Sequence, residues 1–466
     1  MADGAKLQVA SGYAFTGTAL AANGTGATGA VDVLTGGTAT FSGTSGSANL
    51  NVTGGTATFS GNHAGSGKLT VATGGTVDGS STATFTALDF TGGTVNGKVV
   101  ATGAAASGSG TKTIGSSGDL TVAGTASGAA SAWSGTLSNS GKLTQAAGST
   151  ELTGSFTNAG SVTASAGNLK LSGGGSSSGS VSVDNGATVQ IASANFAFTN
   201  GAQVNGTGTG TLDLNGAITT FSGTTTGSAN HSVTGGTATF NGAHTASGKF
   251  DLTNGTVNGS GTVTVGGTLG FTGGSINTTV NSNGGATIAT GNGKALNAGA
   301  ILNLAGTLSG TGNIIGAVSS SALISPGLSP GTLNLTGTLT LFATSQLLIE
   351  LGGTTQGVSY DFFGVSGTAA LGGTLAVRFA GGFENSVTNS QTFTFLTASA
   401  ITGAFTNVPT SGLRLTTTDG IGSFVLTQNA TSLVLSNFSP VPEPSTYALL
   451  VVGLGAVAVF SRRRQK

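Results

Sequence analysis

The sequence predicts an all-β fold: a right-handed parallel β-solenoid (β-helix) of roughly 19-residue rungs, with a C-terminal β cap module and a short terminal transmembrane helix. The solenoid rests on three observations. Residues 46–68, GSANLNVTGGTATFSGNHAGSGK, and residues 227–249, GSANHSVTGGTATFNGAHTASGK, are identical at 17 of 23 positions at an offset of 181. Thr-Gly-Gly steps begin at Thr35, Thr53, Thr73 and Thr91, at intervals of 18, 20 and 18, and a second phrase begins at Gly141, Gly160 and Gly179, at intervals of 19 and 19. Inside a repeat the apolar residues alternate: Leu50 and Val52, then Ala57 and Phe59, then Leu69 and Val71, with Gly/Asn breaks between. Period-2 alternation bounded by turn residues reads as short strands with one buried face, and a rung that cannot bury its face alone does so by stacking on its neighbours.

Composition narrows the class. Of 466 residues 85 are Gly, about 18% against roughly 7% in average usage, and Lys+Arg and Asp+Glu balance at 14 each. So few charges cannot assemble the basic face that phosphate neutralisation requires, which excludes a nucleic-acid partner. Zero net charge and alternating Phe, Leu and Val also argue against a charge-driven disordered chain. There is no Cys, hence no disulfide, thiolate nucleophile or Cys-ligated metal.

The elements follow in order. Residues 1–340 are the Gly/Thr/Ser-rich solenoid. Residues 341–440 carry longer, more apolar strands (LFATSQLLIELGG, then SYDFFGVSGTAALGGTLAVRF) with scattered charges at Glu350, Asp361, Arg378 and Glu384. They are expected to form a β cap module, because the last rung of a solenoid exposes an unpaired backbone edge. Together with NLAGTLSGTGNI (303–314) and ALISPGLSPGTLNLTGTLTL (322–341), this passage resembles the end of autotransporter passenger domains. It departs from them in lacking the membrane β-barrel that would follow.

Residues 441–466 close the chain. Val441-Pro442-Glu443-Pro444 is held extended, since each Pro fixes its own φ and disfavours helix in its predecessor. Tyr447 to Phe460 is an uncharged apolar run of 14 residues, and Arg462, Arg463 and Arg464 form a basic stop. Such a run falls short of the about 20 residues that span a bilayer comfortably, a length suited to temporary anchorage with Arg side chains snorkelling. Order and spacing closely resemble the PEP-CTERM sorting signal of Gram-negative bacteria. The resemblance implies that Val441, Pro442, Glu443 and Pro444 are the sorting motif read by an exosortase-type transpeptidase, that the helix between Tyr447 and Phe460 holds the chain transiently in the inner membrane, and that processing delivers the body to the cell surface or extracellular matrix. It also associates the chain with exopolysaccharide and biofilm. The start, MADGAKLQVASGYAFTGTALAANG, shows neither a basic n-region nor an apolar h-region, so no signal peptide is visible. Without the residues from Val441 onward the body has 10 basic and 13 acidic residues, a net charge of −3.

Candidate chemistry is sparse. The acids are scattered singly along the chain, and the best grouping, Glu350/Asp361/Arg378/Glu384, reads as surface charge rather than a catalytic carboxylate pair. His63 and His244 occupy equivalent places in the duplicated segment, too many rungs apart to share a metal, and His231 replaces Leu50 in the duplicate. Thr-x-Thr pairs at Thr38/Thr40, Thr56/Thr58 and Thr237/Thr239 fit β-propensity better than a continuous ice-binding array. The expectation is a non-enzymatic structural or adhesive protein with no cofactor and no metal. The alternative is a polysaccharide-binding or polysaccharide-degrading enzyme on a β-helix scaffold.

Overall fold

A computed structural model describes residues 5–16, 29–123, 131–199, 201–216, 218–288, 294–297, 300–327 and 330–441, with Val452, Leu454, Ala456 and Val457. The chain divides into two compact units, Met1–Gly284 and Gly285–Lys466.

In the first unit each turn carries three short strands. Asn49–Val52, Thr56–Phe59 and His63–Gly65 make one turn, and Lys68–Val71 opens the next. Every strand pairs in parallel with its counterpart one turn on, so three parallel sheets wrap a narrow core. The register gives the period directly: Leu50 faces Leu69, Leu143 faces Val162, and Val162 faces Val181, a step of 19 each time. Longer turns occur where Val189 faces Leu212. There the strands keep three to five residues and the bends absorb the excess. Both copies of the duplicated segment take the same places, Thr56–Phe59 matching Thr237–Phe240 and His63–Gly65 matching His244–Ala246.

Alternation decides what faces inward. Leu50, Val52, Ala57 and Phe59 are buried while the intervening Asn51 and Thr58 are half-buried on the outer surface. Because the register stacks like positions, identical side chains form columns. The rings of Phe15 and Phe41 stack at 4.9 Å, Phe41 and Phe59 at 4.9 Å, Phe198 and Phe221 at 4.9 Å, and Phe221 and Phe240 at 4.6 Å. Rung spacing of about 4.8 Å is an attractive aromatic distance. Each such ring contributes about 1.5–3 kcal/mol by burial, which lets a core poor in large apolar residues hold.

The Thr-Gly-Gly steps are corners. After Thr73, Gly74 takes φ +84°, and a Cβ on Gly75 would lie 2.2 Å from the Val52 carbonyl oxygen, so no side chain fits. Some polar interior groups pair along the stack. Asn139 donates to Asn158 at 2.7 Å, and Asn158 to the Ser177 hydroxyl at 3.0 Å, one residue per turn. Buried Lys112 donates to the carbonyls of Gly108 and Gly110 at 2.8 Å and to that of Ser134, while burial lowers its pKa.

In the second unit Leu308 pairs with Ile324, Leu333 with Phe363, and Leu347 with Leu375, all in parallel. Turns lengthen, as the pairings of Gln346 with Thr374 and of Thr368 with Ala400 show. Parallel pairing reaches Ala400–Gly403. Antiparallel pairing then sets in, Phe393–Thr397 with Ser432–Pro440, and Gly422–Gln428 between Arg414–Thr416 and Ser432–Pro440. Here stacked columns give way to an aromatic cluster, Phe424 lying 5.8 Å from Phe393, 5.9 Å from Phe379 and 5.1 Å from Phe438. An antiparallel partner closes a strand edge that a parallel ladder would leave open.

Candidate functional site

Three of the four charged residues singled out between 341 and 440 meet. Strand Gln346–Leu351 runs beside Thr374–Phe379, with Glu350 opposite Arg378. Arg378 Nε donates to Glu350 Oε1 at 2.7 Å, and its terminal nitrogen reaches the same oxygen. Asp361 lies just before strand Phe362–Val365. Its two carboxylate oxygens accept separate backbone bonds, from Gly331 N at 2.8 Å and from Glu350 N at 2.9 Å, and its own N–H returns a bond to the Glu350 carbonyl at 3.0 Å. Glu350 and Asp361 are 3% and 0% exposed, so neither is the surface charge the sequence suggested. Burial pushes the Asp361 carboxyl up to about 7, against the pull of its two backbone bonds. Glu384, in the 3₁₀ turn Phe383–Asn385, makes no ion pair among the described residues. The arrangement clasps three chain segments together through Glu350 Oε1 and both Asp361 oxygens.

The histidines are interior. His63 Nδ1 lies 2.8 Å from Thr44 Oγ1, and His244 Nδ1 2.7 Å from Thr225 Oγ1, the same partnership in both copies of the duplication. His231, two strands before His244 around the turn, places its ring 5.1 Å from that of His244. Burial holds His63 below its usual pKa and lowers His231 to about 4, and burial, with the charge of His231 adding to it, holds His244 well below its usual range. Nε2 of both His231 and His244 finds no hydrogen-bond partner among the described residues. The sequence set His63 against His244 and missed this pair. Among the described residues no three His, Cys, Asp or Glu gather closely enough for a metal ion.

On the outer surface of the first unit, Thr38, Thr56, Thr76, Thr94 and Thr113 fall in register in consecutive turns, a column of hydroxyls. The second column that a flat two-wide array needs runs from Thr40 to Thr58 and stops at Asp78. Ion pairs also join turns: Glu151 to Lys170 at 3.0 Å, one period apart, and Lys68 to Asp89. A hydrogen bond from Ser172, with the Lys170 ammonium, holds the Glu151 carboxyl below its usual range. The one-period spacing of Glu151 and Lys170 is the sequence signal of this contact.

In the second unit a hollow of about 470 Å³ opens on the outer surface over Asn313, Asn334, Phe362, Gly364, Ser366 and Thr397. No sequence motif announced it.

Of the sorting residues, Val441 is exposed and its N–H donates to the Ile421 carbonyl at 2.8 Å. Pro442, Glu443, Pro444, Tyr447, Phe460, Arg462, Arg463 and Arg464 lie outside the described residues. Between Tyr447 and Phe460 only Val452, Leu454, Ala456 and Val457 are described, in helical conformation and exposed. Among the described residues no helix is long and apolar enough to cross a membrane.

Residues 440–465 match the family model described as the PEP-CTERM protein-sorting motif. No curated protein matches the chain. The chain is therefore a parallel β-solenoid that carries a PEP-CTERM sorting motif, the mark of a protein exported to the cell surface or beyond.

Proposed function

We propose that this is a non-enzymatic structural or adhesive protein of the cell surface or extracellular matrix, linked to exopolysaccharide or biofilm. Its apolar segment Tyr447–Phe460 holds it in the inner membrane with Arg462, Arg463 and Arg464 on the cytoplasmic side. An exosortase-type transpeptidase then reads Val441 to Pro444 and removes the tail. The observation that carries this reading is the sorting-motif match at residues 440–465 on a solenoid body. Further support comes from the exposure of Val441 directly after strand Ser432–Pro440, which leaves the chain accessible where processing would act. The non-enzymatic part draws on the engagement of Glu350 and Asp361 by a guanidinium and by backbone N–H groups, an arrangement that spends both carboxylates on structure.

The test is expression of the full chain behind a working signal peptide in hosts with and without an exosortase. The expected result is loss of a tail epitope and arrival at the surface only where the exosortase is present, both prevented by replacing Pro442, Glu443 and Pro444 with Ala. Identical size and location in the two hosts would overturn the sorting role. Turnover of an acidic glycan, abolished by Asp361→Asn or Glu350→Gln in a chain that still folds, would overturn the non-enzymatic reading.

A further inference from the structure

We propose that the hollow over Asn313, Asn334 and Gly364 is a binding site for a neutral, linear glycan. Four parallel strands of the second unit floor it: Gly312–Ile315, Thr332–Thr336, Phe362–Val365 and Phe393–Thr397. Their register brings Asn313, Asn334, Gly364 and Thr397 into one outward column in consecutive turns. Gly364 supplies the depth. A Cβ there would meet Asn334 Oδ1 at 2.5 Å and Phe362 Cε1 at 3.3 Å, so the gap left by the missing side chain is walled by an amide on one side and an aromatic edge on the other. Thr336 and Ser366 are exposed along the rim. The Thr336 hydroxyl donates to Asn313 Oδ1 at 3.1 Å, which fixes that amide and leaves its NH₂ as a donor. The Asn334 amide has no hydrogen-bond partner among the described residues.

The chemistry selects the ligand class. An amide offers donors and an acceptor together, and a hydroxyl offers both, which matches the hydroxyl groups of a sugar ring. A partly exposed Phe beside them matches a ring's apolar face, in the manner of sites lined by aromatic groups with a few placed polar atoms. Among the described residues no charged side chain lines the hollow, so a carboxylated or phosphorylated ligand would find no counter-charge. Added β-strands are disfavoured as occupants, because the backbone groups beneath are already paired in the parallel ladder. The amides repeat at the rung spacing of about 4.8 Å, an array that engages successive units of a polymer. By contrast, the hollow of about 480 Å³ over Asp78, Asn96 and Lys98 in the first unit holds opposite charges and, among the described residues, no aromatic group.

The inference takes from the matrix reading only the source of its ligand. It is tested on the purified full chain in mild detergent, which no outcome of the sorting experiment affects. Neutral hexasaccharides of glucose, galactose and mannose are titrated calorimetrically, with polygalacturonate and an extended neutral peptide as controls. The expected result is binding of at least one neutral hexasaccharide, weakened tenfold or more by Phe362→Ala and by Asn334→Ala and abolished by Gly364→Leu. Asn334 and Ser366 are exposed, so Asn334→Ala and Ser366→Ala leave the unfolding midpoint in place and keep the test valid if Gly364→Leu misfolds. Absence of binding by all three hexasaccharides, indifference to Asn334→Ala and Phe362→Ala, or tighter binding of polygalacturonate or peptide would each overturn the proposal.

Discussion

Replacing Asp361 by Asn should reshape the pH dependence of the second unit. In the folded chain burial lifts the Asp361 carboxyl from its ordinary 3.8 to about 7. Below about pH 4 the group is protonated whether the chain is folded or not, and it adds no pH dependence. Between about 4 and 7 the unfolded chain releases the proton while the folded chain retains it, so stability falls as pH rises. At 1.36 kcal/mol per pH unit the loss approaches about 4 kcal/mol by pH 7 and then levels off. Asn is neutral throughout and removes this slope. It carries its own cost, because Gly331 N and Glu350 N each donate to a separate oxygen and Asn offers only one. One buried N–H is left facing an NH₂ group, a penalty of about 1–3 kcal/mol. The two stability curves must therefore cross: the native chain is the more stable at pH 4, and the variant matches or exceeds it above pH 7. Pulse proteolysis in urea between pH 4 and pH 8, read on fragments from 285–441, measures the curves. Parallel curves with no crossing would refute the argument, since they would mean that Asp361 is already ionised at pH 4.

Other perturbations have equally definite outcomes. Phe221→Ala removes the middle ring between Phe198 and Phe240 and should cost about 3–5 kcal/mol, read from urea unfolding by the fluorescence of buried Trp133. His231 is held neutral in the fold, with a pKa lowered from 6.5 to about 4. Its contribution is complete above pH 6.5 and lost as pH falls toward 4, so His231→Leu should flatten the acid limb of the Trp133-monitored transition. Gly75→Ala drives a methyl group to within 2.2 Å of the Val52 carbonyl oxygen and should lower the same transition's stability by about 1–3 kcal/mol or more. An unchanged midpoint would mean that the corner moves freely.

The period was legible because it is enforced physically. Strands that hydrogen-bond in register turn after turn must return to the same place, and the Thr-Gly-Gly corners mark where side chains do not fit. Division of each turn among three sheets was not legible, since strands of three to five residues with like alternation look the same on any face. The charged cluster could be found because charges are scarce, but burial is not written in Glu350 or Asp361, and both were read as surface groups. His231 and His244 stand less than one turn apart along the chain, a spacing that means proximity only once the bends are known. The hollow escaped because Asn313, Asn334 and Gly364 follow one another at unequal intervals, in the part of the chain where turns lengthen and the period is lost.

The duplication acts as an internal control on the histidines. Its two copies differ at six positions, and four of these differences fall at half-buried or exposed places on the outer surface: Asn51/Ser232, Ser60/Asn241, Asn62/Ala243 and Ala64/Thr245. The remaining two, Leu50/His231 and Gly65/Ala246, flank the shared histidine. In the first copy a Cβ on Gly65 would sit 2.6 Å from His63 Nε2, so the imidazole uses the space that glycine leaves. In the second copy the Ala246 methyl is fully buried, and the equivalent imidazole must shift. His244 accordingly packs 4.8 Å from Phe240, where His63 stands 5.6 Å from Phe59, and meets the ring of His231 at 5.1 Å. A methyl gained on one side is matched by a flat ring replacing branched Leu on the other, while the bond to threonine is kept. Such compensation is what close packing demands of a core. It makes the histidines packing elements of the column they occupy.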